Sequence, residues 1–214
     1  MRKRRALFIH PPHLKFEDIR RKADEFRNKY VKPPDLLPVP IVEIVELTFG
    51  LIPIPIQGLY DEETDGFLTN DLKSICIDRD VYLDPRRENR LRFTYAHEIG
   101  HLILHKEEIK QCEFRTPEDW KYFHQDFSRE DRNWFEQHAY EFAGRLLVPR
   151  QALETKIIAL SAEIDKYRKM GGADEEGLVE AIARMICTDF HVSADCLAKR
   201  IRNEKLRGHF HKRS

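Results

Sequence analysis

His97, Glu98 and His101 stand in the order His-Glu-x-x-His, inside Arg92-Phe93-Thr94-Tyr95-Ala96-His97-Glu98-Ile99-Gly100-His101. Residues four apart share one face of a helix, so the two imidazoles can be aimed at a single cation. Glu98, beside the first of them, can take a proton from water at that cation without binding it. Two histidine ligands with one free carboxylate as general base is the chemistry of a hydrolytic zinc centre. The plain alternative is a surface helix that happens to carry His and Glu.

The surroundings argue against that alternative. Asp84-Pro85 supplies a helix start, Asp as the cap and Pro at the first helical position. Leu91, Tyr95, Ile99 and Leu102 recur at helical spacing away from the two histidines, and Phe93, Ile103 and Leu104 add apolar surface elsewhere. A helix apolar on more than one side is buried. Gly100 inside it costs about 1 kcal/mol relative to Ala, which a close backbone approach at that point would explain. Buried imidazoles and a buried carboxylate need partners, and a metal supplies one.

A catalytic zinc takes a third protein ligand and keeps one position for solvent. His105 continues the series, but eight residues of helix climb about 12 Å, too far for His97, His101 and His105 to share one ion. His105 is therefore read as a capping or supporting group. The longer pattern H-E-x-x-H-x-x-G-x-x-H fails, because Leu104 and Glu107 occupy its last Gly and His positions. The third ligand is expected from another helix, at His138, on the flank of the apolar face formed by Phe135, Ala139, Phe142 and Leu146. Glu141 is the reserve ligand, or an acceptor for an imidazole N–H. Glu136 is expected to point elsewhere, and His124 is an outside candidate.

The composition is that of a globular protein, with 41% hydrophobic and 35% charged residues in 214. Lys+Arg and Asp+Glu balance at 37 each, so no global field favours nucleic acid or an acidic substrate. Cys76, Cys112, Cys187 and Cys196 are dispersed, which argues against a Cys-rich zinc site and a disulfide framework. No apolar run spans a membrane, and the basic first residues lack a signal-peptide core, so the expected location is cytoplasmic.

The expected fold class is α+β: a small sheet, a buried helix carrying the histidines, and a helical second half. Ile19, Ala23, Phe26 and Tyr30 mark a first helix ending before Pro33-Pro34, and Pro40 opens a second that Gly50 closes. Ile52, Ile54 and Ile56 alternate with prolines, as on an edge strand. Gly66–Thr69 and Ser74–Ile77 flank a four-residue turn. Gln111–Arg115 reads as a short strand, and a helix start follows at Thr116-Pro117, with Trp120, Phe123 and Phe127 as its apolar side. Ser128 and Asp131 form a capping box for the next helix. One long helix is expected from Leu153 to Tyr167, ended by Gly171-Gly172, and another after Asp174.

Arg92 to His105, followed by Ala139-Tyr140-Glu141-Phe142-Ala143-Gly144-Arg145-Leu146-Leu147-Val148-Pro149, resembles the ImmA/IrrE family of metallopeptidases. The family's usual forms are R-F-T-x-A-H-E-x-G-H and E-A-N-x-F-A-A-x-L-L-M-P. The resemblance covers about residues 15–150, taken as a zincin-like metallopeptidase domain, with 151–206 as a helical C-terminal region. It implies zinc (Mn2+ being the alternative ion) on His97 and His101, Glu98 as base, and the third-ligand position on His138. Tyr140 replaces the usual Asn, and Gly144 an Ala. Trp120–Phe127 is similar to an insertion. The implied activity is endopeptidase cleavage of a protein, a helix-turn-helix transcriptional repressor controlling stress-response or mobile-element genes.

A second reading comes from Gly177–Asn203, which has the pattern of helix, short turn, helix, with Val192 in the turn and Leu197 and Ile201 inside. Lys199, Arg200 and Arg202 would be its DNA contacts, and the chain a DNA-binding regulator whose metal site is sensory or vestigial. A helical pair that merely packs on the peptidase domain is favoured over it, because one basic helix in a neutral chain is a weak footprint. A third reading is an enzyme that stays latent without a partner.

Overall fold

A computed structural model describes residues 10–59, 65–111, 128–169 and 174–206. Helix α1 spans Phe16–Tyr30 and buries Ile19, Ala23 and Phe26 at the expected spacing. Helix α2, Ile41–Thr48, widens its turns after Glu43. The chain leaves it through Gly50, whose φ of +64° suits a residue without a Cβ. Strands β1 (Ile52–Ile56), β2 (Gly66–Leu68) and β3 (Ser74–Asp78) form a sheet in the order β1-β3-β2. β1 runs parallel to β3, with Ile54 opposite Cys76, and β2 runs antiparallel, with Phe67 opposite Cys76. Pro53 and Pro55 are tolerated because β1 is an outer strand, where a missing N–H leaves no ladder bond unmade on the open side.

Asp78 caps α3 (Arg79–Leu83), accepting from the N–H groups of Asp80 and Val81. Asp84 caps the single turn Pro85–Arg87, which feeds α4, Glu88–Leu104. Thus the expected Asp-Pro start exists, with one tight turn between it and the helix proper. Residues Lys106–Gln111 form α5. Gln111, expected to open a strand, is the last residue of that helix, and Cys112–Arg115 lie outside the described residues, as do Thr116-Pro117, Trp120, Phe123, His124 and Phe127. Helix α6 spans Arg129–Leu147, and the Ser128 hydroxyl accepts from the Asp131 N–H as the capping box required. The expected long helix after Pro149 is two, α7 (Arg150–Ala159) and α8 (Ser161–Lys169), interrupted at Leu160. Gly171-Gly172 fall outside the described residues. Asp174 caps α9, Glu175–Phe190, and Ser193 caps α10, Ala194–Asn203.

This α+β architecture wraps its layers around α4. On one side α4 meets β2, and on the other it packs most extensively against α6, which in turn packs on α1. One hydrophobic core runs from Ile19 through Ile99 and Phe142 to Leu206, and it is continuous across residue 150. The last helix is tied down by a network of buried and part-buried ion pairs. Glu141 accepts from Arg20 (2.6 Å) and Arg200 (3.0 Å), while Arg145 bridges Asp24 (2.6 Å) and Glu204 (2.7 Å). Arg200 also pairs with Glu204. Gly144 leaves the room this needs, since a Cβ there would lie 2.9 Å from Cδ of Arg200. Arg92 ties the start of α4 to the rest, donating to the carbonyls of Val39 (2.6 Å) and His191 (3.4 Å).

Candidate metal centre

His97 and His101 leave α4 one turn apart, their Nε2 atoms 3.0 Å from each other. The carboxylate that meets them belongs to Glu136 of α6. Its Oε2 lies 3.1 Å from His97 Nε2 and 3.9 Å from His101 Nε2. Zinc bound at about 2.0–2.1 Å in a tetrahedron spaces its ligand atoms about 3.3 Å apart, and the three observed separations straddle that figure. Among the described residues these three side chains form the one group of potential ligands drawn this close together. Two imidazole nitrogens and a carboxylate oxygen are also the donor types that zinc takes, so the residues present fit the ion.

Gly100 is what brings Glu136 there. A Cβ on Gly100 would sit 3.2 Å from both Cα and the carbonyl oxygen of Ala139, so α4 and α6 cross nearly backbone to backbone. Glu136 lies one turn before Ala139, and the crossing delivers its carboxylate to the histidines that flank Gly100.

The electrostatics agree with a cation site. Burial alone would raise the Glu136 carboxyl, yet its bonds to His101 and His97 outweigh burial and hold it well below the usual range. His97 is the mirror case: burial lowers it, Glu136 more than compensates, and the net displacement is upward. Glu98 is 3% exposed, and burial pushes its carboxyl up to about 7, against the opposing pull of His97 and of the Leu68 N–H, which donates to it from β2. A carboxyl at that level can both accept and return a proton near neutrality.

Aromatic rings fix the walls. Phe135 stacks on His101 and on His105, with centroids 4.2 and 4.3 Å apart. Tyr140 lies against His97 at 4.6 Å and is half-exposed. Tyr95 is fully buried and donates its hydroxyl to Glu46 at 2.5 Å, so of these two tyrosines Tyr140 is the one that borders the site.

His138 does not join the cluster. Its Nδ1 faces His105 Nε2 at 3.1 Å, and His105 Nδ1 faces His101 Nδ1, also at 3.1 Å. Residues two apart on a helix point about 200° apart, so His138 and Glu136 flank opposite sides of the apolar face, and the side turned to His97 is that of Glu136. The expectation that Glu136 pointed elsewhere is therefore corrected. Small residues carried the missed signal: Gly100, Ala139 and Ala143 mark where two helices can touch, and Glu136 lies on that line. His105 is buried, and burial together with the neighbouring His101 and His138 pushes it down to about 2.

Residues 57–202 match the model of the peptidase M78 family, described as the IrrE N-terminal-like domain. The chain belongs to the ImmA/IrrE family of metallopeptidases. Searches of curated proteins and of solved structures found no match. The family match begins after α1 and α2 and runs past residue 150, so the C-terminal helices down to Arg202 lie within it.

Within this metallopeptidase the other anticipated residues have different employment. Glu141, the reserve ligand, is occupied by Arg20, Arg200 and the Asn203 amide at 3.0 Å, and binds no imidazole among the described residues. Arg200, read as a DNA contact, is 2% exposed and sits inside that network, where no phosphate can reach it. Arg202 is paired with Glu176 and Glu180 of α9. Lys199 is exposed, its Nζ 5.6 Å above the Tyr140 ring. These three do not form a free basic face. Among the described residues no helix is long and apolar enough to cross a membrane.

Proposed function

We propose that this chain is a zinc-dependent endopeptidase of the cytoplasm, with the ion held by His97, His101 and Glu136 and with Glu98 as general base. Its substrate is a protein, a helix-turn-helix transcriptional repressor, as the family resemblance suggests. The observation that carries the reading is the convergence of two Nε2 atoms and one carboxylate oxygen within 3.9 Å, with the buried carboxyl of Glu98 next in the chain to His97.

When bound, zinc supplies a Lewis acid for the scissile carbonyl and lowers the pKa of water. Glu98 takes the proton from the attacking water and delivers it to the leaving amine nitrogen. Its position against β2 supports the same reading, because a substrate in extended form can align with a strand at the margin of a sheet. The half-exposed Tyr140 walls the His97 side of that path. The free thiols of Cys76, Cys187 and Cys196 accord with a reducing compartment. Incubation of the zinc-loaded protein with a co-encoded repressor is the test: wild type should cut it and Glu98→Gln should not. Equal cleavage by both would remove Glu98 from its role.

A further inference from the structure

Four imidazoles, rather than two, are strung through this site. From His97 the contacts continue His101 to His105 (Nδ1 to Nδ1, 3.1 Å) and His105 to His138 (Nε2 to Nδ1, 3.1 Å). His101, His105 and His138 are each no more than 3% exposed, so protein rather than bulk water must satisfy them. Phe135, stacked on the first two rings, restrains their planes. By contrast, His97 Nδ1 is buried without a hydrogen-bond partner among the described residues.

A neutral imidazole has one N–H and one lone pair, so each N···N contact needs a donor on one side and an acceptor on the other. If His101 offers Nε2 to the ion, its proton is on Nδ1 and is donated to His105 Nδ1. The His105 proton must then be on Nε2, where it is donated to His138 Nδ1, leaving the His138 proton on Nε2. We infer that His105 and His138 are positioning residues that set the tautomer and ring orientation of His101, one link at a time, for metal binding. The inference rests on the proposed ion site and adds to it a direction for every proton in the chain. Supporting groups of this kind are worth about 10- to 100-fold in metal affinity.

The test is nitrogen-15 NMR of histidine-labelled, zinc-loaded full-length protein, with zinc affinity measured by chelator competition. Wild type should show His105 and His138 both as Nε2–H tautomers. His105→Leu should bind zinc about 10- to 100-fold more weakly. His105→Asn, which keeps a side-chain carbonyl as acceptor for the His101 N–H, should recover most of the loss. An Nδ1–H proton on His105 in a zinc-loaded wild type, or equal affinity for His105→Leu and wild type, would overturn the inference while leaving the ion site standing. A wild type that binds no zinc would overturn both. The tautomer readout is made on wild type, so it does not depend on any variant folding.

Discussion

Gly100→Ala tests whether the helix crossing is what assembles the site. On an isolated helix the substitution should stabilise by about 0.8–1 kcal/mol, because Ala is the better helix former. Here the new methyl would meet Cα and the carbonyl oxygen of Ala139 at 3.2 Å and Cβ of Phe142 at 3.3 Å. Two of these atoms are backbone, so α6 must retreat by a few tenths of an ångström rather than let a side chain swing away. Overpacking of that kind costs about 1–3 kcal/mol, which leaves a net loss of about 1 kcal/mol. The same retreat draws Glu136 away from the two histidines, and metal sites tolerate departures of only about 0.2 Å in ligand distance. Urea unfolding of the metal-free protein should therefore show the loss in stability, and chelator competition a zinc affinity reduced about tenfold, equivalent to about 1.4 kcal/mol. A Gly100→Ala protein that is more stable than wild type and binds zinc equally well would refute the reasoning.

Three further outcomes follow from the same geometry. Glu98→Gln should retain zinc at wild-type affinity while cleavage falls about 10²- to 10⁴-fold, the usual worth of a general base; parallel metal titration and single-turnover cleavage check both halves. Arg200→Ala should destabilise by about 1.5–3 kcal/mol in denaturant unfolding, because the buried carboxylates of Glu141 and Glu204 each lose one charged donor while keeping Arg20 and Arg145 respectively, whereas Arg202→Ala, at a part-exposed pair, should cost no more than about 1 kcal/mol. Burial would raise the Glu204 carboxyl, but Arg200 and Arg145 overcome it and hold the group below its ordinary value. Its stabilising contribution is thus fully present above the unfolded-state pKa of about 4.3 and is lost as pH falls through the lower folded value. The stability gap between wild type and Glu204→Gln should be constant near neutrality and narrow in acid.

Local chemistry made much of this fold legible. The cap residues Asp84, Ser128 and Asp174, the prolines of β1 and the short turn between β2 and β3 each act within a few residues, and each is where the sequence pattern places it. The pair His97 and His101 was equally plain, since a helix alone fixes their relation. What required the tertiary structure was the partner across the helix crossing. His138 and Glu136 both flank the α6 apolar face, and choosing between them depends on the rotation of α6 about its axis, which the contact of Gly100 with Ala139 determines. Arg200 was misjudged for a related reason. A basic residue on a C-terminal helix looks solvated until the carboxylates of Glu141 and Glu204, one from another helix, close over it. The break at Leu160 divides a continuous apolar pattern that by itself describes one helix.

The most direct measurement is an anomalous difference map at the zinc absorption edge from crystals of the zinc-loaded protein. One peak is predicted, within about 2.0–2.2 Å of His97 Nε2, His101 Nε2 and a Glu136 carboxylate oxygen, with His138 still bonded to His105. A peak ligated by His138 in place of Glu136, or no peak between the two α4 histidines, would contradict the account.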